Sequence, residues 1–150
     1  MVVLEDASFA RARGARLRGR ILGHATGFEP EPTGSEAGAG LAAAIRTALA
    51  DADLVPEALG LVVSAAPPAL ASLEGRALDR VLGSARPPIL NPKDAYGETF
   101  GAAGPLGLLA AFSRTPCGGA VLVLDVCASG HVAALVARPT DPNGFPGGPS

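Results

Sequence analysis

The sequence predicts an α/β layered fold, and three observations carry that prediction. Strand-like and helix-like apolar segments alternate along the 150 residues. One of them, "LGLVVSA" at 59–65, is a continuous apolar run of strand length, as expected of a strand buried on both faces. Hydrophobic residues make up 48% of the chain but aromatics only 4%, so the core has to be built from Ala, Val and Leu.

"MVVLE" reads as a strand at the very start, which suggests a fold joined partway through a sheet. Asp6 can cap a short helix, "ASFARARGA", that Gly14 would end. "RLRGRILG" follows as a strand, with Arg16, Arg18 and Arg20 alternating against Leu17, Gly19 and Ile21. Residues 25–37 read as a polar loop with His24 at the strand end. A helix is expected over "AGLAAAIRTALADADL", where Leu41, Ile45, Ala48, Leu49 and Ala52 share one stripe. Leu73, Ala77, Leu78, Val81 and Leu82 mark another helix, capped by Ser72 and closed by Gly83. "PPIL" is a short strand. "PLGLLAAFSR" is a helix apolar nearly all round, hence central. "GAVLVLDV" and "HVAALVAR" are two last strands, antiparallel about Cys127–Gly130. Residues 1–138 form one domain and 139–150 a mobile tail.

The formal charge of −2 gives no global attraction to nucleic acid. No stretch reaches the eighteen apolar residues a membrane span requires. Two cysteines ten residues apart, Cys117 and Cys127, supply neither a metal pattern nor a disulfide framework. No cofactor motif is visible: "GAAG" at 101–104 lacks the Gly-Lys-Ser/Thr of a phosphate loop, and its small residues suit close packing. A reducing cytoplasm is the expected location.

"KDAYGETFGAAG" at 93–104 concentrates the chemistry. It holds the only lysine, Lys93, among eleven arginines, five residues before Glu98. This segment, with its collinear neighbours, resembles the β-ketoacyl synthases of the thiolase superfamily. "VVLEDASFARARGARLRGRILGHATG" resembles the stretch that ends their N-terminal half. "AAAIRTALADADLVPEALGLVVSAAPP" resembles the next helix and strand, "LEGRALDRVLG" the helix after it, and "KDAYGETFGAAGPLGLLAA" the "K-x-x-x-G-H-x-x-G-A-A-G" motif. The resemblance implies a thiolase-like layered fold, of which this chain supplies the C-terminal half with the last strands of the N-terminal half.

It also implies a site with parts missing. The family's nucleophilic cysteine belongs to a segment upstream of this sequence. Its two histidine positions fall on Ala66 and Glu98, and only its lysine remains, as Lys93. The closing glycine-rich motif survives in part, as Ser129 and Gly130. In such enzymes two imidazoles donate hydrogen bonds to a thioester oxygen as it becomes an enolate, and losing one such donor costs roughly 10²–10³ in rate. An ionised Glu98 would oppose that charge. A Lys93–Glu98 ion pair filling a disused site, with Ala66 and Glu98 on one cavity, is therefore the expectation. The plainer readings are a surface lysine and a carboxylate at a helix start; the sharper one is Glu98 as a general base.

Cys127 reads as a buried core cysteine, or as a counterpart of the acid/base cysteine of thiolases. His131 reads as a strand residue, His24 as solvent-facing, and Cys117 as a turn residue. Arg11, Arg13, Arg16, Arg18 and Arg20 form either a solvated face or a dock for an acidic acyl carrier protein. Sheet edges left bare by a half-fold call for a partner, so an oligomer is expected. The function implied is a ketosynthase-like subunit of fatty acid or polyketide synthesis, without catalysis of its own, that completes a partner ketosynthase subunit. The alternative is an acyl-thioester enzyme using Lys93 and Glu98, or Cys127.

Overall fold

A computed structural model describes residues 2–85, 87–115 and 118–140. The expectations for Cys117 and for a tail over 141–150 fall outside these residues.

Five strands form one mixed sheet: β1 (Gly19–Phe28), β2 (Leu59–Val63), β3 (Ile89–Leu90), β4 (Ala120–Val126) and β5 (His131–Pro139), in the order β1-β5-β4-β2-β3. β2 runs parallel to both β4 and β3, while β5 runs antiparallel to β4 and to β1. Among the described residues five α-helices accompany it: α1 (Ala7–Ala12), α2 (Ala39–Asp51), α3 (Ala71–Leu82), α4 (Lys93–Tyr96) and α5 (Ala103–Arg114).

Strand periodicity splits the core in two. Leu122, Leu124 and Val126 of β4, with Val62 of β2 and Val132, Ala134 and Val136 of β5, face the side covered by α2 and α3. Val121 and Val123, with Leu61, Val63 and Ala137, face the side covered by α5. β4 is therefore apolar on both faces because both are covered, as the sequence implied for β2. The α2 stripe is buried as expected, with Leu41, Ile45 and Ala48 fully enclosed. Gly23 lets α2 come this close: a Cβ there would stand 2.3 Å from the Ala48 carbonyl oxygen.

Several boundaries differ from expectation. Residues 2–6 form no strand; Val3 and Leu4 are exposed and have no strand beside them to complete a ladder. β1 starts at Gly19, not Arg16, and runs to Phe28, so His24 lies inside the strand and the loop begins later. Asp6 does cap α1, accepting from the amides of Ser8 and Phe9. Ser72 caps nothing: α3 is entered through a 3₁₀ turn, Pro68–Leu70, and no side chain caps its N-terminus. β5 continues past residue 138, and Thr140 donates its amide to the Arg18 carbonyl at 3.1 Å and its hydroxyl to that of Leu17 at 2.7 Å.

The described residues do not enclose α5. Ala103, Gly107, Leu108 and Ala111 lie on the sheet, while Leu109 is 47% exposed. No charged residue occurs in α5 before Arg114. Its all-round apolar character reflects a second face that the described residues leave open. The two faces predict different costs. Leu122→Ala, deleting a fully buried side chain at the centre of the sheet, should lower unfolding stability by about 2–5 kcal/mol. Leu109→Ala should change it by only about 0.5 kcal/mol or less. Urea denaturation of the two variants checks the contrast.

Candidate functional site

Parallel neighbours end at the same edge of a sheet, and in open α/β sheets ligands bind beyond that edge. β3, β2 and β4 deliver there, side by side, the loop from Asn91, the segment from Ser64 and the turn Cys127–Gly130. The segments singled out from the sequence therefore meet at one edge, brought together by topology from up to 66 residues apart (64 to 130).

A shallow cleft sits at this edge. It is lined by Ser64 and Ala65 after β2, by Pro92, Lys93, Tyr96, Gly97 and Thr99 around α4, and by Ala103 and Leu106 of α5. It holds about 10 Å³, room for about one water molecule. α4 is a single turn whose entry is fixed by the Asn91 side chain, which accepts the Lys93 amide at 3.0 Å. Gly97, at φ +71°, ends the turn in a conformation that favours glycine and sends the chain back towards Lys93.

The lysine and the glutamate meet. Lys93 Nζ donates to Glu98 Oε2 at 2.8 Å, and the amide of Phe100 donates to Glu98 Oε1 at 2.8 Å. The Lys93 side chain is 14% exposed and that of Glu98 39%. The Lys93 ammonium, and then the Phe100 amide, hold the Glu98 carboxyl below its ordinary pKa. Glu98 lies over the lysine from the solvent side and does not line the cleft wall. Ala66 does not line it either. Its amide is taken up below and its methyl joins the core beneath α3, so the expected cavity shared by Ala66 and Glu98 is replaced by one formed by their neighbours.

What holds Ala66 down is a residue the sequence reading passed over. Glu74, on the first turn of α3, is 5% exposed. Its Oε2 accepts the amides of Ala66 at 3.2 Å and of Ala65 at 3.4 Å, and the Ser64 side chain acts in the same sense on its carboxyl. Burial raises its pKa; those hydrogen bonds and the positive charge of Lys93 oppose the rise without cancelling it. Its signal was available: position 74 precedes Ala77 by three and Leu78 by four, placing a carboxylate on the apolar stripe. A second carboxylate, Glu29, is 2% exposed and accepts the amides of Gly38 at 3.1 Å and Gly40 at 2.9 Å at the start of α2. Its loop setting gave no such cue.

Cys127 is exposed, not in the core as expected, because its turn projects past the sheet edge. The Ser129 hydroxyl donates to its sulfur at 3.2 Å, and this bond lowers the thiol pKa. His131 opens β5 exposed, with its ring edge-on to Phe28 at 5.6 Å between centroids. His24 is exposed beside Asp51, with Nδ1 3.6 Å from Oδ2. Arg13 is forked onto Glu5, while Arg11, Arg16, Arg18 and Arg20 are exposed. Among the described residues there is no group of three His, Cys, Asp or Glu able to hold a metal, and no helix long and apolar enough to cross a membrane.

The chain belongs to the β-ketoacyl synthase family: the family model for the C-terminal domain of β-ketoacyl synthases matches residues 18–114. It is 40% identical over 114 residues to the actinorhodin polyketide putative β-ketoacyl synthase 2 of Streptomyces coelicolor, covering 74% of this chain and 28% of that one. In fold it is similar to the ishigamide ketosynthase/chain length factor, with a TM-score of 0.78 at 24% identity over 91% of this chain and 41% of that one. It is likewise similar to a type II polyketide acyl-carrier protein in complex with its ketosynthase, with a TM-score of 0.75 at 21% identity over 89% of this chain and 41% of that one. The chain thus spans less than half the length of these proteins. The fold is the thiolase-like one that the resemblance implied.

Glu74 supplies a pH test. Its pKa is raised on folding, so the folded state binds the extra proton. Stability is then greatest below the unfolded value of 4.5 and falls as pH rises through the higher folded value. Glu74→Gln, which cannot ionise, should flatten that decline. Urea midpoints measured from pH 4 to pH 8 should converge for the two proteins at the acid end and separate in favour of the glutamine variant above it.

Proposed function

We propose that this chain is a non-catalytic ketosynthase-like component of polyketide synthesis that completes or shapes a partner ketosynthase subunit. One observation carries the reading: at the edge where the family's site lies, Lys93 is engaged by Glu98. Neither of the family's histidine positions carries an imidazole, and the cleft has room for about one water. An enolate forming there would meet a carboxylate in place of hydrogen-bond donors. The likeness to proteins named as a β-ketoacyl synthase 2 and as a ketosynthase/chain length factor supports a partnered role.

The open face of α5 is the natural contact. Leu109 is exposed there, Tyr96 and Phe100 are exposed beside the cleft, and the helix is uncharged up to Arg114. An apolar face of this kind is stabilised by burial against another protein. The exposed Arg11, Arg16, Arg18 and Arg20 suit an acidic carrier protein, and the complex of an acyl-carrier protein with its ketosynthase supports that assignment. The setting is the cytoplasm.

A second reading rests on Cys127, exposed at the same edge with its thiol pKa lowered by Ser129. As an acid or base it would act on an acyl thioester in the chain by itself.

Co-expression with a ketosynthase subunit that carries the nucleophilic cysteine, encoded beside this chain, tests the first reading. The two should elute together in size-exclusion chromatography, and Leu109→Arg should weaken the complex at least tenfold. A chain that stays alone at micromolar concentration, with such a subunit present and folded, would overturn it.

A further inference from the structure

The contacts of Glu98 have the form of a bound ligand. One carboxylate oxygen takes an ammonium, Lys93 Nζ, at 2.8 Å, and the other takes a backbone amide, that of Phe100, also at 2.8 Å. A cation beside a backbone N–H is a common receptor for a free carboxylate. Neither half of this receptor is an accident of the surface. The lysine side chain is 14% exposed, and it lines the cleft wall. Phe100, the residue whose amide is aimed at Glu98, has φ +48°, a left-handed conformation rare for a bulky side chain. That conformation persists where surrounding contacts over-determine it, and such outliers cluster at ligand clamps. Phe100 is also 81% exposed, so burial of its ring within this chain does not explain the backbone.

We propose that Lys93 Nζ and the Phe100 amide form a receptor for a small carboxylate, which Glu98 occupies from within the chain. The receptor is complete and self-filled. The tethered carboxylate is held there at high effective concentration, so free carboxylates of the same chemistry do not compete. Removing Glu98 exposes a site for a small aliphatic monocarboxylate such as acetate or formate. This inference concerns the contacts of Lys93 and Phe100 with Glu98. The partnered role is tested by complex formation, so the failure of one leaves the other standing.

The test is chemical rescue. Sodium acetate is titrated into the wild type, into Glu98→Ala and into Glu98→Ala with Lys93→Met, against sodium chloride at equal ionic strength. The read-outs are the backbone amide signal of Phe100 by NMR and the melting temperature. In Glu98→Ala, acetate should shift the Phe100 amide saturably and recover most of the lost melting temperature. Its affinity should be at least tenfold above that in the wild type, and the response should vanish in the double variant. If Glu98→Ala does not fold, Glu98→Ser keeps a polar side chain at this position that is too short to reach Lys93 Nζ. Acetate should then move the Lys93 Nζ signal saturably in that variant and not in the wild type. Equal acetate responses in variant and wild type, or a variant response no different from chloride, would overturn the proposal.

Discussion

Everything at the candidate site follows from the parallel pairing of β2 with its neighbours. Parallel strands end at the same edge, so the chain leaving β2 at Ser64, the chain leaving β3 at Asn91 and the turn after β4 are forced into adjacency. Antiparallel β5 and β1 extend the sheet on the other side and give α2 a surface to lie on. That pairing needs β2 and β4 covered on both faces. The two core clusters do this with Val, Leu and Ala in strict alternation along β4.

On that frame, three ionisable groups set the character of the edge. Glu74 is buried and spends its carboxylate on the backbone just after β2, fixing Ala65 and Ala66 against α3. Lys93 binds the Glu98 carboxylate directly, and its positive charge favours the ionised form of Glu74. Glu98 is thereby kept ionised, in the protonation state least suited to donate a hydrogen bond to a developing oxyanion. A ketosynthase site needs donors with no competing acceptor. Here Lys93 has an internal acceptor, and the backbone amides after β2 are turned down to Glu74. The small cleft is the steric counterpart of the same arrangement.

The parts legible in the sequence were those with a periodic or a covalent signature. The α2 stripe, the apolar run of β2 and the antiparallel pair around Cys127–Gly130 follow from spacing alone. The contact of Lys93 with Glu98 was expected from the places the family resemblance gives these two residues, and the turn at Gly97 is what makes it. What was not legible depended on tertiary partners. Residues 2–6 are strand-like in composition, but a ladder needs a neighbour. Ser72 has the chemistry of a cap, yet the 3₁₀ turn ahead of α3 moves the start of that helix. Cys127 is small and apolar enough for a core, but the hairpin turn carries it outside. Glu74 was hidden among leucines and alanines, because a carboxylate in an apolar stripe is understood only once the amides it serves are in place.

The central claim is that this edge no longer supports condensing chemistry by itself. Carbon dioxide release from a malonyl thioester by the purified polypeptide, with no second protein present, addresses it most directly. The account predicts a rate indistinguishable from that in buffer. Release well above buffer that disappears in Glu98→Ala or in Cys127→Ser would contradict it.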